Sequence, residues 1–197
     1  EVGFAAYLSQ DEQLLADLRD GTDIHAATGE KAGFTDMDSR TRRTIKAVNF
    51  AAIYGGSPRG TAAQTGIPLP TVERIHEAFF SRYSGLKDHF DRQFAELDSL
   101  PVSGHRYEGN LKLKTVYDTA MTGRKYFFNQ YPKHKWGTQQ VIGQQFKYPT
   151  SCNYRIQGMA GGDYVPMFMC VLDLMQRYSR NNIKIIREIH DCVESLY

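Results

Sequence analysis

Two cationic and two aromatic residues recur at intervals of four in one segment of the chain. They are Arg42, Lys46, Phe50 and Tyr54. Residues four apart share one face of an α-helix, so the spacing predicts a helical face with charge at one end and rings at the other. Arginine and lysine bind phosphate oxygens, and aromatic rings take a sugar or a base. The pattern therefore indicates a site that holds a nucleoside triphosphate lengthwise.

The same spacing also fits an ordinary amphipathic helix. In that alternative the apolar residues of the segment pack a core, and its basic end is a solvated surface. The residues packed in the core would be Ile45, Val48, Phe50 and Ile53. The residue pattern alone leaves both interpretations open.

A helix that positions these side chains needs defined ends. Asp36 or Asp38 suits its first turn, since a carboxylate there accepts hydrogen bonds from free backbone N–H groups. Gly55 and Gly56 are expected to end it. The positive N-terminal end of such a helix adds to Arg42 and Lys46 in attracting anions.

The rest of the chain predicts helices first, then strands, then helices and a hairpin. The expected helices are one with a capping box at Ser9 to Glu12 that ends at Gly21, one after Asp23, one from Pro58 to Gly66, one opening at Pro70, one from Ser84 through Leu97, and two around 138–149 and 163–179. Strands and loops are expected over 101–137, and paired strands over 183–189 and 192–197. This order indicates an α+β fold in which most helices lie outside a small antiparallel sheet.

Charge is distributed unevenly along the 197 residues, although the formal net charge is only +2. Residues 1–38 hold nine acidic and two basic residues, whereas residues 111–137 hold six Lys and Arg and one Asp. Aromatic residues are interleaved with these bases, which suits a track for a phosphate backbone. A solvated ribbon edge guarded by lysines is the alternative.

Three cysteines, Cys152, Cys170 and Cys192, form no C-x-x-C pair, so neither a zinc site nor a disulfide framework is favoured. No apolar run reaches the length of a membrane span, and the N-terminus lacks a signal-peptide pattern. We therefore expect a soluble, intracellular protein without a membrane partner. The compartment is the cytoplasm, a phage host cell or an organelle.

His190 and Asp191 stand between the two last expected strands. A carboxylate on a hairpin turn is well placed to bind Mg²⁺, which prefers oxygen ligands. A turn aspartate more commonly satisfies backbone donors, so this pair is weak by itself.

The segment 42–55 resembles the fingers-helix motif of family A DNA polymerases, R-R-x-x-K-x-x-N-F-x-x-x-Y-G, at every specified position. Other segments are similar to further motifs of that family. They are 6–12 and 23–25 near the N-terminus, Gly123 to Lys125, Asn153 to Gly158 (N-x-x-x-Q-G), and His190-Asp191, which is followed by Cys192 where the family has Glu. The resemblance spans essentially the whole chain.

The resemblance implies a fragment of a right-hand polymerase, with a mainly helical fingers subdomain and a small antiparallel palm sheet. Residues 1–35 would begin the passage from palm to fingers and 36–100 would form the fingers. Residues 101–137 would be the basic strand and loop segment, and 138–197 the palm helices with the hairpin of the third motif.

The resemblance also assigns roles. Arg42 and Lys46 would neutralise the triphosphate of a deoxynucleotide, with Lys46 also the candidate proton donor to pyrophosphate. The other residues of the deoxynucleotide site would be Glu1, Phe50 and Tyr54. Residues at the DNA would be Asn153, Gln157, His190, Arg124 and Lys125. Asp191 would be catalytic as a ligand of Mg²⁺, in a two-metal mechanism whose second aspartate falls outside this sequence.

The implied activity is template-directed DNA synthesis, in which a primer 3′-hydroxyl attacks a deoxynucleotide. The implied partners are primer–template DNA and the deoxynucleotide, with a processivity factor or flanking domains as further candidates. The alternative is a catalytically incomplete nucleic-acid-binding fragment, or a decayed polymerase that needs a partner chain. On either interpretation the isolated 197-residue chain is expected to be inactive.

Overall fold

A computed structural model describes residues 1–120, 122–135, 137–178, 184–189 and 192–196, and in the last two ranges it describes the backbone. The first half is helical. Its helices are α1 (Val2–Ser9), α2 (Glu12–Arg19), α3 (Ile24–Lys31), α4 (Ser39–Ile53), α5 (Pro58–Thr65), α6 (Leu69–Arg82) and α7 (Ser84–Glu96), followed by a 3₁₀ turn, Leu97–Ser99. In the described part of the chain, no helix is long and apolar enough to cross a membrane.

Strands dominate the next segment, and helices return after it. The strands are β1 (Val102–Glu108), β2 (Leu111–Thr119), β3 (Lys125–Asn129), β4 (Tyr131–His134) and β5 (Val141–Gln145). Helix α8 (Tyr148–Gln157) continues through a π-helix, Gly158–Tyr164, into α9 (Val165–Tyr178). Strands β6 (Lys184–Ile189) and β7 (Cys192–Leu196) follow.

Three antiparallel sheets occur among the described residues. Strands β1, β2 and β3 form one in that order, β4 pairs with β5, and β6 pairs with β7 with Ile189 opposite Cys192. The predicted α+β class and the predicted terminal hairpin are thus confirmed.

Side chains cap several of the helices. The carboxylates of Asp23 and Asp38 accept hydrogen bonds at the starts of α3 and α4, and the Ser57 hydroxyl does so at α5. These caps, with Gly55 and Gly66 after the helix ends, confirm the expected bounds of α4 and α5.

The predicted capping box at Ser9 is wrong. Ser9 is the last residue of α1, a helix that was not predicted, and Asp11 caps α2 by accepting from the Leu14 N–H at 2.7 Å. The second oxygen of Asp11 accepts from the Leu86 N–H of α7 at 3.1 Å. A nearly buried carboxylate therefore holds the starts of two helices together.

The helix expected over 138–149 is also wrong, because this segment contains β5 and only the start of α8. Val141 and Ile142 are β-branched residues that favour strands, and the strand pairs with β4. Pro149 lies in the first turn of α8, where a proline is tolerated. The expected helix over 163–179 is confirmed in α9.

Helix α4 lies between two hydrophobic cores. One contains Ile53 with the rings of α6 and α7, and the other contains Ile45 and Val48 against α6. A third core lies under the β1–β2–β3 sheet around Val116 and Phe128. The α4 residues that pack into the first two cores lie on one side of the helix, and the opposite side is open to a ligand.

Candidate functional site

The four residues set four apart lie along the open face of α4. Arg42 and Lys46 are exposed, and Phe50 and Tyr54 are half-buried. The Lys46 Nζ lies 5.7 Å from the centre of the Phe50 ring, and the Phe50 and Tyr54 ring centres are 6.5 Å apart. The face thus runs from cations to rings, as the spacing predicts. The core interpretation also holds for Ile45, Val48 and Ile53, which are buried on the other side.

At the cationic end, Arg42 is paired with Asp23. The Arg42 Nη2 lies 2.6 Å from Asp23 Oδ2, and both side chains are exposed by more than 40%. Burial by itself would raise the pKa of Asp23, but hydrogen bonds from Arg42 and from the N–H groups of Ala26 and His25 outweigh it and lower the pKa. An exposed pair of this kind is weak, so a triphosphate can compete for the guanidinium.

His25 also belongs to this face, and the sequence interpretation did not include it among the site residues. Its ring centre lies 5.7 Å from that of Phe50. The fully buried Asn49 lies 3.1 Å from His25 Nδ1 and donates to Thr28 Oγ1 at 3.1 Å. Burial lowers the pKa of His25, and the charges of Arg42 and Lys46 add to this against the opposing charge of Asp23, which favours the neutral imidazole.

The position of His25 depends on a close approach between α3 and α4. A Cβ at Gly29 would lie 2.7 Å from the Ile45 Cδ1 and 2.8 Å from the Met37 Sδ, so a larger residue would displace the ends of these two side chains. The sequence contains a signal for His25, since Asp23 was expected to open a helix and His25 lies in its first turn. Nothing in the local sequence indicates that the first turn of α3 packs against the Phe50 ring.

At the aromatic end, Tyr54 connects α4 to two distant segments. Its hydroxyl donates a hydrogen bond to the Glu1 carboxylate and also interacts with the Gln157 amide. Burial, the hydrogen bond to Glu1 and the charge of Glu1 raise the pKa of Tyr54 to about 12. Tyr54 is therefore a neutral phenol near neutral pH. Glu1 and Gln157, two predicted site residues far apart in sequence, meet at this ring.

Contact between the end of α4 and the start of α8 explains this meeting. Gly55 has φ 71°, and a Cβ there would lie 2.7 Å from Cys152 Sγ. Glycine allows both the left-handed backbone and the close approach. Asn153 and Gln157 are four apart on α8 and so share a face, and the buried Asn153 Oδ1 has no hydrogen-bond partner among the described residues.

Arg124, which precedes β3, and Lys125, the first residue of β3, contact different parts of the molecule. The Arg124 Nε lies 3.0 Å from Asp163 Oδ1 in the π-helix that continues α8, and Arg124 also donates to the Gly162 carbonyl. Lys125 lies over the Tyr117 ring, with Nζ 4.4 Å from its centre. Of these two basic residues, only Arg124 contacts the segment that follows Gln157 in the described part of the chain.

Next to Glu1, a cleft of about 770 Å³ opens between α1 and the π-helix. Phe4, Tyr7, Met159 and Tyr164 are among its lining residues, so its wall is largely apolar. Glu1 thus separates this cleft from the aromatic end of α4.

The predicted metal ligand Asp191 and the predicted DNA contact His190 lie outside the described residues. Within the described part of the chain, no group of three or more His, Cys, Asp or Glu side chains is placed to hold a metal ion. The described geometry therefore concerns the binding of an anion and a ring.

The described arrangement can bind an elongated anion that carries a ring at one end. Arg42 and Lys46 offer charge to phosphate oxygens, and the imidazole of His25 lies next to Phe50. Phe50 and Tyr54 offer flat surfaces 6.5 Å apart, next to the Glu1 carboxylate. This polarity along one helix is the feature that separates the face from a general basic patch.

Three comparisons with known proteins agree. The model of one protein family, DNA polymerase family A, matches residues 1–194. A DNA polymerase I of Lactococcus lactis subsp. cremoris is 29% identical over 197 residues, which cover 97% of this chain and 20% of that protein. A DNA polymerase I of Pseudomonas aeruginosa is 25% identical over 194 residues, which cover 97% of this chain and 19% of that protein.

Among solved structures, the POL domain of Pol1 from M. smegmatis, in complex with DNA primer-template and dNTP, is similar to this chain in fold. The TM-score is 0.69 at 22% identity, and the match covers 98% of this chain and 31% of that one. The chain thus spans about a fifth of the length of the two relatives named above.

Proposed function

Because the chain belongs to DNA polymerase family A, we propose that it contributes the nucleotide-binding surface of an enzyme that extends a DNA primer on a template. The observation that carries the proposal is the polarity of the α4 face, with cations at one end and rings at the other. The relatives are named DNA polymerase I, and the structural neighbour was solved with primer–template and dNTP, which supports the same partners here.

Within this proposal, residues 1–35 lead from the palm to the fingers and 36–100 form the fingers. Residues 101–137 form the basic strand segment, and 138–197 supply palm elements. The buried contacts of α4 with α6 support the grouping of 36–100. The contact of Gly55 with Cys152 supports a junction between fingers and palm at the aromatic end of α4.

Arg42, Lys46 and His25 hold the triphosphate. Cationic groups there stabilise the charge that develops as pyrophosphate leaves, which is the main source of catalysis in reactions that need little covalent chemistry from the protein. Lys46 carries the most direct role, because it is exposed and lies closest to the ring end. We assign it the proton transfer to pyrophosphate, the role that the family resemblance implies, and Arg42 the binding of phosphate oxygens.

Phe50, Tyr54 and Glu1 hold the sugar and base. Phe50 lines the sugar pocket between His25 and Tyr54, and Tyr54 stacks at the templating base. We assign the Glu1 carboxylate, which accepts a hydrogen bond from the Tyr54 hydroxyl, the exclusion of a ribose 2′-hydroxyl. Because Glu1 and Tyr54 are hydrogen-bonded to each other, a substitution of either side chain should alter the sugar pocket.

Asn153, Gln157, Arg124, Lys125 and His190 contact the DNA. Side-chain amides suit the minor groove, whose acceptors are common to all base pairs, so binding there does not depend on sequence. The position of Gln157, exposed and four residues from Asn153 on the same face of α8, supports this assignment.

Mg²⁺ is the cofactor of this proposal, held by Asp191 with a second aspartate outside this sequence. A carboxylate fits a hard cation that prefers oxygen ligands. When bound, the metal ions supply the charge that activates the attacking hydroxyl and stabilises the leaving oxygen. The contacts described for the nucleotide site are all made by side chains of this chain.

Lys46 provides the experiment that tests the proposal. In the polymerase that contains this sequence, Lys46→Ala should slow single-turnover incorporation about 10²- to 10³-fold, because a charge opposite a developing anion is lost. Lys46→Arg should recover part of the rate. Arg43→Ala is the matched control, since Arg43 is exposed on the same helix but donates to the Ser39 carbonyl. Equal rates for Lys46→Ala and Arg43→Ala would overturn the phosphate role.

A non-catalytic nucleic-acid-binding module is the second candidate function. The observation that favours it is the basic strand segment, which can bind a phosphate backbone without any nucleotide site. A primer-extension assay with Mg²⁺, primer–template and the four deoxynucleotides, run on the longer protein that contains this sequence, separates the two. Extension of the primer supports the enzyme, whereas binding without extension supports the module.

A further inference from the structure

The β1–β2–β3 sheet packs one face against a hydrophobic core, and its other face is exposed along β3 but buries Leu113 of β2. Val116, Tyr126 and Phe128 pack inward with Leu97 and Phe146. The alternate residues of β2 and β3 point the other way. We call this second surface the outer face, and its residues are Thr115, Tyr117, Lys125, Phe127 and Asn129.

Two aromatic rings lie side by side on the outer face. Tyr117 is directly opposite Phe127 in the strand register, and their ring centres are 6.1 Å apart. The Phe127 side chain is 47% exposed. Lys125 adds a cation, with Nζ 4.4 Å from the Tyr117 ring centre. Adjacent aromatic side chains beside a cation on a sheet are the features on which unstacked bases bind.

Charge identifies the class of partner. Residues 102–147 carry eight Lys and Arg against two acidic residues, whereas the rest of the chain carries a net −4. Both acidic residues are engaged, since Asp118 lies 2.5 Å from Arg155 and Glu108 lies 3.8 Å from Arg106. Lys112, Lys125, Lys133 and Lys135 are exposed and belong to no ion pair among the described residues. This electrostatic environment favours a polyanion over an apolar protein surface.

The outer face also adjoins the proposed DNA surface. Arg124 reaches the π-helix on one side of β3, and the next residue, Lys125, begins the outer face on the other. A nucleic-acid strand that leaves the region of Arg124 therefore reaches Lys125 after crossing only β3.

We propose that the outer face binds single-stranded nucleic acid by stacking two bases on Tyr117 and Phe127, with Lys125 on the intervening phosphate. In a polymerase the source of such a strand is unpaired template. The proposal rests on the proposed function only for that source, since the rings and the charge are independent of the nucleotide site.

Fluorescence anisotropy with a labelled 12-residue oligo(dT) tests this proposal on the full chain. Removing both rings in the Tyr117→Leu, Phe127→Leu double variant should weaken binding by at least tenfold, because each stacked base contributes on the order of 1–3 kcal/mol. Tyr117→Phe should retain near-wild-type affinity, since the ring remains. Lys125→Gln should lower the dependence of log K on log salt by about 0.7.

A matched control removes an exposed aromatic residue elsewhere on the sheet. Tyr107, 72% exposed on β1, serves this purpose, and Tyr107→Leu should change the affinity by less than twofold. Cross-linking with an oligonucleotide that contains 5-iododeoxyuridine should label Tyr117 or Phe127. The corresponding oligo(U) distinguishes RNA from DNA as the preferred strand.

Wild-type affinity in the double variant would overturn the proposal. So would failure of the wild-type chain to bind oligo(dT), or equal losses in the double variant and Tyr107→Leu. If the double variant loses binding only together with its thermal stability while Tyr117→Phe also loses binding, the rings are a cross-strand packing pair and the proposal is wrong. Lys46→Ala separates this test from the previous one, since it should slow nucleotide incorporation and leave oligo(dT) binding intact.

Discussion

His89 should make the folded chain sensitive to mild acid. It lies on α7, and its Nε2 is buried without a hydrogen-bond partner among the described residues. Burial, followed by the positive charges of Arg92 and Arg155, lowers the pKa of His89 to about 4. The folded state therefore holds a neutral imidazole where the unfolded chain, with a pKa of about 6.5, readily takes up a proton.

The sign and size of the effect follow from this difference in pKa. Because the folded pKa lies below the unfolded one, the stabilisation is fully present above about pH 6.5 and is lost as the pH falls towards about 4. A difference of about 2.5 pKa units corresponds to at most about 3 kcal/mol, with a slope of about 1.4 kcal/mol per pH unit. Whole domains are stable by about 5–15 kcal/mol, so this loss is substantial.

Urea unfolding followed by circular dichroism at pH 7.0, 6.0, 5.0 and 4.5 measures how the free energy of unfolding depends on pH. The His89→Leu variant should lose less free energy of unfolding than wild type over this range, by about 2–3 kcal/mol. Burial also lowers the pKa values of His25 and His76, so part of the dependence should remain. The aspartates with lowered pKa values titrate below about 3.8 and stay outside this window.

His105→Leu is the control for removing a histidine, because His105 is exposed on β1. It should follow the wild-type pH dependence. If His89→Leu lost stability as steeply as wild type between pH 7.0 and 4.5, His89 would be charged or solvated in the folded state, and the packing described around α7 would be wrong.

Three further substitutions test separate parts of the structure. Phe50→Tyr in the intact polymerase should raise incorporation of dideoxynucleotides relative to deoxynucleotides, because its hydroxyl replaces the missing 3′-hydroxyl; an unchanged ratio in a primer-extension assay counts against the sugar pocket. Gly55→Ala should lower the free energy of unfolding by about 2–4 kcal/mol, against about 1 kcal/mol for Gly66→Ala, since both have positive φ but only the Gly55 Cβ meets Cys152. Equal losses in urea unfolding would remove the contact between α4 and α8. Asp17→Asn should lower the free energy of unfolding by about 3 kcal/mol in the same assay, because the nearly buried Asp17 accepts two hydrogen bonds from Arg82 and one from Tyr83 at 2.8 Å. The exposed control Asp20→Asn should lower it by less than about 0.5 kcal/mol. A similar loss in both variants would contradict the buried pair of Asp17 and Arg82.

Local patterns predicted α4 and its open face well. The step of four, the carboxylate of Asp38 and the glycine at 55 are all local signals, and each acts within one or two turns of the helix. The meeting of Tyr54 with Glu1 and Gln157 is different, because it depends on the approach of Gly55 to Cys152, nearly 100 residues apart. No local pattern encodes that contact.

Two features show where local patterns are ambiguous. Residues 141–145 form a strand because β4 supplies a partner, and a short apolar run cannot reveal its partner. The alternation in β2 predicted a strand but not which face is buried, and the structure places Val116 inside and Tyr117 outside. Tertiary packing decides both features.

Photo-cross-linking tests the central claim, that an incoming nucleotide lies along α4 from Arg42 to Tyr54, most directly. In the intact polymerase with primer–template bound, a deoxynucleotide with a photoreactive group on its base should label the peptide containing Phe50 and Tyr54. One with the group on its γ-phosphate should label residues around Arg42 and Lys46. Labelling in the reverse order, or of both probes on the β-strand segment alone, would contradict the account.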